Sequence, residues 1–278
     1  MKYLITTFSI LIITVVCASA QIVQNGNPRT LRKHSSYQIP EYKLPAFNIG
    51  EFREKMNSGK SLKRLQFAKV FDVDINLLKE ATTVSTENGI LYLYSVRSEE
   101  AYSLQLIFNQ FNIPKGAELY VYNPDYSHVI GAVTSRNNKR SGVLPISPVK
   151  GEKVIIEYFE PNDAPYHGSL KIGKVGHDYL NIYDGINKNI NGLGDAAECN
   201  VNINCPEGDE WQDVKGAVTR VIAGGYLCSG ALVNNINYSG IPYFLTANHC
   251  IDDKEVAENA VFFFNFESPE CDTTYYDM

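Results

Sequence analysis

In PYFLTANHCI, residues 242–251, a histidine stands against a cysteine directly after a short apolar run: His249 and Cys250. An imidazole takes and returns protons near neutral pH, and a catalytic base must sit within about 3 Å of the proton it takes. A histidine packed at a strand end is the plain alternative. A zinc site built from Cys and His is another, but the spacings lack the paired Cys-x2-Cys or His-x3-His arrangement, so no metal ligand is assigned. Ser58-Gly59-Lys60-Ser61 superficially resembles a phosphate loop, yet Glu54 occupies the position of that motif's first glycine. No cofactor is expected.

Cysteine usage divides the chain. Residues 21–198 contain none, whereas Cys199, Cys205, Cys228, Cys250 and Cys271 fall within 199–271. In an exported protein disulfides are the default reading of such a cluster. Five is an odd number, so one thiol is free or pairs outside these residues, and the spacing alone does not choose the pairs.

The elements that must position His249 are strands. In the second region AVTRVIAG, SGALVNN, PYFLTA and AVFFFNFE alternate with turns at Asn234-Asn235 and Ser239-Gly240-Ile241-Pro242. Cys228 and Cys250 then lie near the outer ends of neighbouring strands, where a bridge would hold the loop after LTA rigid. Upstream, FAKVFDVDI, GILYLYSVRS, YSLQLIFNQF, AELYVYN, HVIGAVT and EKVIIEYFE read as successive strands separated by turns such as Pro114-Lys115-Gly116 and Asn123-Pro124-Asp125. The alternation in GILYLYSV and ELYVYN fits antiparallel strands with one buried face, and residues 66–184 are expected to form a β-sandwich. Residues 21–65 read as an extended leader, with a short helix within Asn48–Arg64.

The first twenty residues, MKYLITTFSILIITVVCASA, have the charged start, apolar middle and small-residue end of a secretory signal peptide cut after Ala20. A lipoprotein alternative through Cys17 is opposed by Val16, where such signals prefer a small residue. No later stretch is apolar for long enough to span a bilayer. The net charge of −6 is spread along 278 residues without a Lys/Arg cluster, which argues against a nucleic-acid surface. GINKNINGLGDAAE, residues 185–198, reads as an exposed linker open to processing, with Lys188 its last basic residue before Cys199.

PYFLTANHC resembles the histidine motif of trypsin-like serine peptidases, and CSGALVNN at 228–235 resembles the strand preceding it. CNVNINCPEGDEWQDVKGAVTRVI is similar to the mature start of bacterial lysyl endopeptidases, and ENGILYLYSVRSEEAYSLQLIFNQFNIPKGAELYVYNPD to their propeptide region. The resemblance implies an all-β fold: a β-sandwich pro-region, then the first part of a trypsin-like double β-barrel over 199–278, truncated at Met278. It implies a secreted endopeptidase acting on protein or peptide chains after lysine, with the propeptide acting in cis and cleavage after Lys188.

In that family a serine attacks the carbonyl, a histidine takes its proton and an aspartate fixes the histidine's tautomer. His249 matches the base. Asp252 and Asp253 lie too close to it in sequence to match the aspartate, and Ser229-Gly230 belongs to the strand before the histidine, so neither partner maps onto this chain. The resemblance pairs Cys228 with Cys250 and Cys205 with Cys271, leaving Cys199 for a cysteine elsewhere. A secreted β-sandwich binding or adhesion protein and an inactive peptidase homologue are the rival readings.

Overall fold

The computed structural model describes residues 22, 24–33, 37–58, 65–183 and 201–271. Ala20, Lys188 and Cys199, with the linker 185–198, lie outside the described residues. In chain order the elements are α1 (Arg29–Lys33), β1 (Glu41–Lys43), α2 (Ile49–Ser58), β2 (Leu65–Gln66), β3 (Ala68–Asn76), α3 (Leu77–Glu80), β4 (Thr82–Thr86), β5 (Gly89–Arg97), β6 (Ser103–Asn112), β7 (Glu118–Tyr122), β8 (Val129–Val133), β9 (Leu144–Pro145), β10 (Val149–Lys150), β11 (Lys153–Pro161) and β12 (Ser169–Asp178). The later part adds α4 (Gln212–Lys215), β13 (Val218–Ala223), β14 (Tyr226–Val233), β15 (Tyr243–Thr246), α5 (Lys254–Glu258) and β16 (Val261–Phe264). The fold is all-β, as its sequence pattern predicts.

Two sheets face each other in the first region. One has the order β1-β5-β11-β7-β8, with β4 on β5; the other runs β10-β6-β12-β3, with β9 on β6. Tyr94, Val96, Val121, Ile156 and Tyr158 of the first sheet share a core with Leu104, Leu106, Phe108, Ile172 and Val175 of the second. Alternate residues supply this core because strand side chains point to opposite faces in turn.

The outer face of the first sheet is also covered, contrary to the expectation of one buried face. The leader lies across it: Tyr37 and Ile39 pack on Leu91, Leu93 and Phe159, while Ile39 also meets Tyr120, Tyr122, Val129 and Ile155. β1 runs parallel to β5, and Asn25 donates its N–H to the Val129 carbonyl. One buried carboxylate fixes this strap. Glu157 in β11 accepts from the Arg29 N–H at 2.5 Å, the Thr30 N–H at 3.2 Å, the Thr30 hydroxyl at 2.5 Å and the Tyr122 hydroxyl at 3.1 Å. A buried carboxylate is tolerated only when its lone pairs are met in this way. The described part of the leader, which also carries α1 and α2, thus forms a covering layer on the sandwich.

The third sheet, β15-β14-β13-β16, is antiparallel and does not close. A barrel needs its outer strands to pair with each other. Here β15 and β16 remain at opposite edges, so the barrel expected for this region is not closed among the described residues. β2, just before the sandwich proper, pairs with β14 through Gln66–Tyr226 and Leu65–Leu227. The two regions therefore share a ladder at this point, although separate sheets were expected.

Candidate functional site

β14 and β15 place the candidate imidazole. Tyr243–Thr246 pair antiparallel with Gly230–Val233, and the Thr246 hydroxyl donates to the Ser229 carbonyl at 2.7 Å. The chain turns at once: Cys250 and Ile251 donate their N–H groups to the Ala247 carbonyl at 2.9 and 3.4 Å. His249 sits on this turn, exposed, beside buried Cys250.

A disulfide joins Cys250 to Cys228 in β14, with Cα atoms 6.1 Å apart. A second joins Cys205 to Cys271 across 4.4 Å. These are the two pairs that the resemblance implies. The Cys228–Cys250 bridge ties the turn that follows β15 to the neighbouring strand β14. Cys228 packs with Val221, Ala223, Phe244 and Val256, so the bridge seats buried Cys250, next to His249, over this small core.

The reactive nitrogen and sulfur atoms of His249, Cys228 and Cys250 lie within 4.8 Å of one another. Both sulfurs are consumed by their mutual bond, and the thiolate is the form that binds metal. The trio is therefore an imidazole on a disulfide platform. An exposed imidazole on a covalently braced turn can take a proton from a group brought to it.

The acid nearest α5 has other work. Asp253 caps α5, its carboxylate accepting the Val256 N–H at 2.8 Å, as residues at a helix start do. Ser229 lies within β14, opposite Arg220. A surface depression of about 260 Å³ is lined by Arg220, Ser229 and Phe266, and His249 is not part of its lining.

Sequence reading missed two histidine clusters in the sandwich. The His177 ring accepts or donates at Nδ1 with the Ser98 hydroxyl at 2.7 Å, and both residues are buried. Burial, with Lys69 nearby, holds its pKa down at about 4. This serine–histidine pair is closed to any substrate and is a core contact. Glu160, also buried, accepts from the Tyr158 hydroxyl, the Gly168 N–H and the His167 ring, each at 2.7 Å. Burial alone would raise the Glu160 pKa, but these donors hold it below the usual carboxylate value. The imidazole of His167 is 91% exposed, and the cluster fastens the loop between β11 and β12.

Residues 193–277 match the family model described as lysyl endopeptidase, C-terminal domain. That match covers the cysteine-bearing sheet and the His249 turn, so this part of the chain is similar to that domain. No solved structure matches the chain. Among the described residues no helix is long and apolar enough to cross a membrane.

Proposed function

We propose that this chain is the precursor form of a secreted serine endopeptidase that cuts protein or peptide chains after lysine, with His249 as its general base. The observation that carries the reading is the exposed His249 on a turn locked by Cys228–Cys250, inside the segment similar to lysyl endopeptidases. In such chemistry the histidine takes the proton of an attacking serine, and an aspartate holds its tautomer. Neither partner matches a residue of 199–278, and the proposal places both in sequence beyond Met278. Exposed apolar side chains support further packing on this sheet: Val218, Val233, Tyr243 and Leu245 share one face, with Leu245 64% exposed.

The signal-like start up to Ala20, the two disulfides and the family likeness support secretion. Processing after Lys188 would then sever the chain between residues 189 onward and the upstream sandwich, the part proposed to act in cis.

The test compares two products on a lysine-containing peptide: residues 21–278, and the gene product carried to its natural stop codon. Cleavage by the longer product, abolished in His249→Ala, is expected. The shorter one should be inactive, because a base without a nucleophile has nothing to activate. Activity in the shorter product would mean that the nucleophile lies within these residues. A longer product that contains the aspartate and serine but does not cut would favour the inactive homologue, or a binding role for the sandwich.

A further inference from the structure

The sandwich and the third sheet meet in an apolar contact made of two matched surfaces. On the sandwich side Phe67, Ala68, Tyr179, Leu180 and Ile182 are all buried; on the sheet side stand Ile222 and Phe263, with Leu227 and Val261 packed against them. The register puts Ile222, Leu227, Phe263 and Val261 on a single face of the sheet.

The sandwich side is held in shape by its own bonds. The Tyr179 N–H donates to the Phe67 carbonyl at 3.0 Å, and its hydroxyl to the Gln66 carbonyl at 2.8 Å. Buried Asp178 gathers the N–H groups of Leu180, Asn181 and Ile182 at 2.8 to 3.2 Å, together with the Ser103 hydroxyl at 2.8 Å. The result is a preformed socket. Preorganised apolar surfaces lose little freedom on association, which favours tight binding.

The described polar ties across the contact include the β2–β14 ladder at its edge. Phe67 and Ala68 donate N–H groups to the Gly225 carbonyl at 3.0 and 3.1 Å, and Lys174 lies 3.4 Å from the exposed Glu255 carboxylate.

We infer that the sandwich and the third sheet form a complex that survives a cut of the chain between them, and that the sandwich holds this sheet from the face away from Cys228, leaving His249 open. Neighbouring residues of a strand point to opposite faces. Leu227 enters the socket, whereas Cys228 carries the disulfide on the other side. The upstream region is therefore a holder of the sheet and not a plug over the imidazole. This holds whether or not the intact protein is a peptidase.

The experiment uses residues 21–278 with a site-specific protease sequence in place of residues 189–195. The protein is folded, cut, and passed through a sizing column in low and high salt. Co-elution of both pieces in both buffers is expected, since burial of apolar surface is not screened by ions. Separate elution of the cut pieces would overturn the inference. Ile222→Asp on the sheet side and Phe67→Ala on the socket side should each weaken reassociation, the second on the order of 100-fold. The sandwich piece's own unfolding transition checks that Phe67→Ala remains folded. Unchanged affinity in a folded Phe67→Ala piece would place the contact elsewhere. Diethyl pyrocarbonate labelling, read at His249 by mass spectrometry, should proceed equally in the complex and the isolated sheet piece. Strong protection in the complex would show that the sandwich covers the imidazole after all.

Discussion

Gln66 and Tyr226, one on each side of the boundary between the two regions, are opposite partners in an antiparallel ladder. The approach is so close that a Cβ on the neighbouring Gly225 would lie 2.5 Å from the Ala68 carbonyl oxygen, and Gly225 also has φ +82°. Only glycine adopts that conformation readily and leaves that space. Gly225→Ala should therefore destabilise the protein by roughly 2–4 kcal/mol through combined strain and collision. Urea unfolding of the variant measures this, and a loss below about 0.5 kcal/mol, the level of neutral surface changes, would contradict the close approach.

Removing the bridge under His249 gives a second prediction. The Cys228–Cys250 disulfide closes a loop with a sequence separation of 22. Cross-links of that span stabilise by roughly 3 kcal/mol, mainly by restricting the unfolded chain. The double substitution Cys228→Ala, Cys250→Ala should lower the denaturation midpoint accordingly. It should also make the turn 247–251 an early site of proteolysis, read by mass mapping of the first fragments.

Glu157 provides the third. Its carboxylate accepts bonds from Arg29, Thr30 and Tyr122 while fully buried. Glu157→Gln turns an NH₂ group toward donors, and a buried charged acceptor lost in this way costs about 2–4 kcal/mol. Protease nicking within residues 24–46 should appear in the variant at denaturant concentrations where the unchanged protein resists, because the strap is what Glu157 retains.

The strands were legible in the sequence because short runs rich in β-branched and aromatic residues are bounded by turn signals. GILYLYSVRS becomes β5, YSLQLIFNQF becomes β6 and EKVIIEYFE becomes β11, and the four strands read in the second region all appear. β12 was not legible, although it is paired on both sides. Its SLKIGKVGHD carries two glycines that depress strand propensity and a register shift between Ile172 and Lys174. The shift marks where Gly173 lets the Asn109 side chain approach, to 2.6 Å of a would-be Cβ. The covering role of the leader was hidden for a different reason: Tyr37, Ile39 and Thr30 act through residues more than fifty positions away. At the candidate site, His249 was readable from its motif. The core pair Ser98–His177 was not, since nothing local brings those positions together.

Acid should weaken the fold through His177. Its folded pKa lies near 4, against 6.5 for the unperturbed group, because burial and then Lys69 oppose its charged form, with Glu152 acting the other way. His128 is depressed in the same direction by burial and Lys150. Between these values the unfolded chain binds the proton and the folded one does not, so stability falls as pH drops from about 6.5 to about 4. For His177 the loss is on the order of 3 kcal/mol by the bottom of that window. His177→Gln should flatten the pH dependence of the unfolding free energy by about one proton, measured by urea titrations at successive pH values. An unchanged slope would show that the ring titrates normally.

The socket carries a consequence for the order in which the protein is made. Chains emerge from the ribosome N-terminus first, and domains tend to fold as they are completed. Every residue of the socket, from Phe67 to Ile182, precedes Val218, where the first strand of the third sheet begins. Ile222, Leu227, Val261 and Phe263 thus emerge when a surface shaped to receive them can already be standing. Phe67 and Ala68 are linked to Tyr179 within the sandwich before any of them meets a partner. The open third sheet, made after the sandwich, is in this way laid down on a template already standing, and its apolar face need not wait in water for cover.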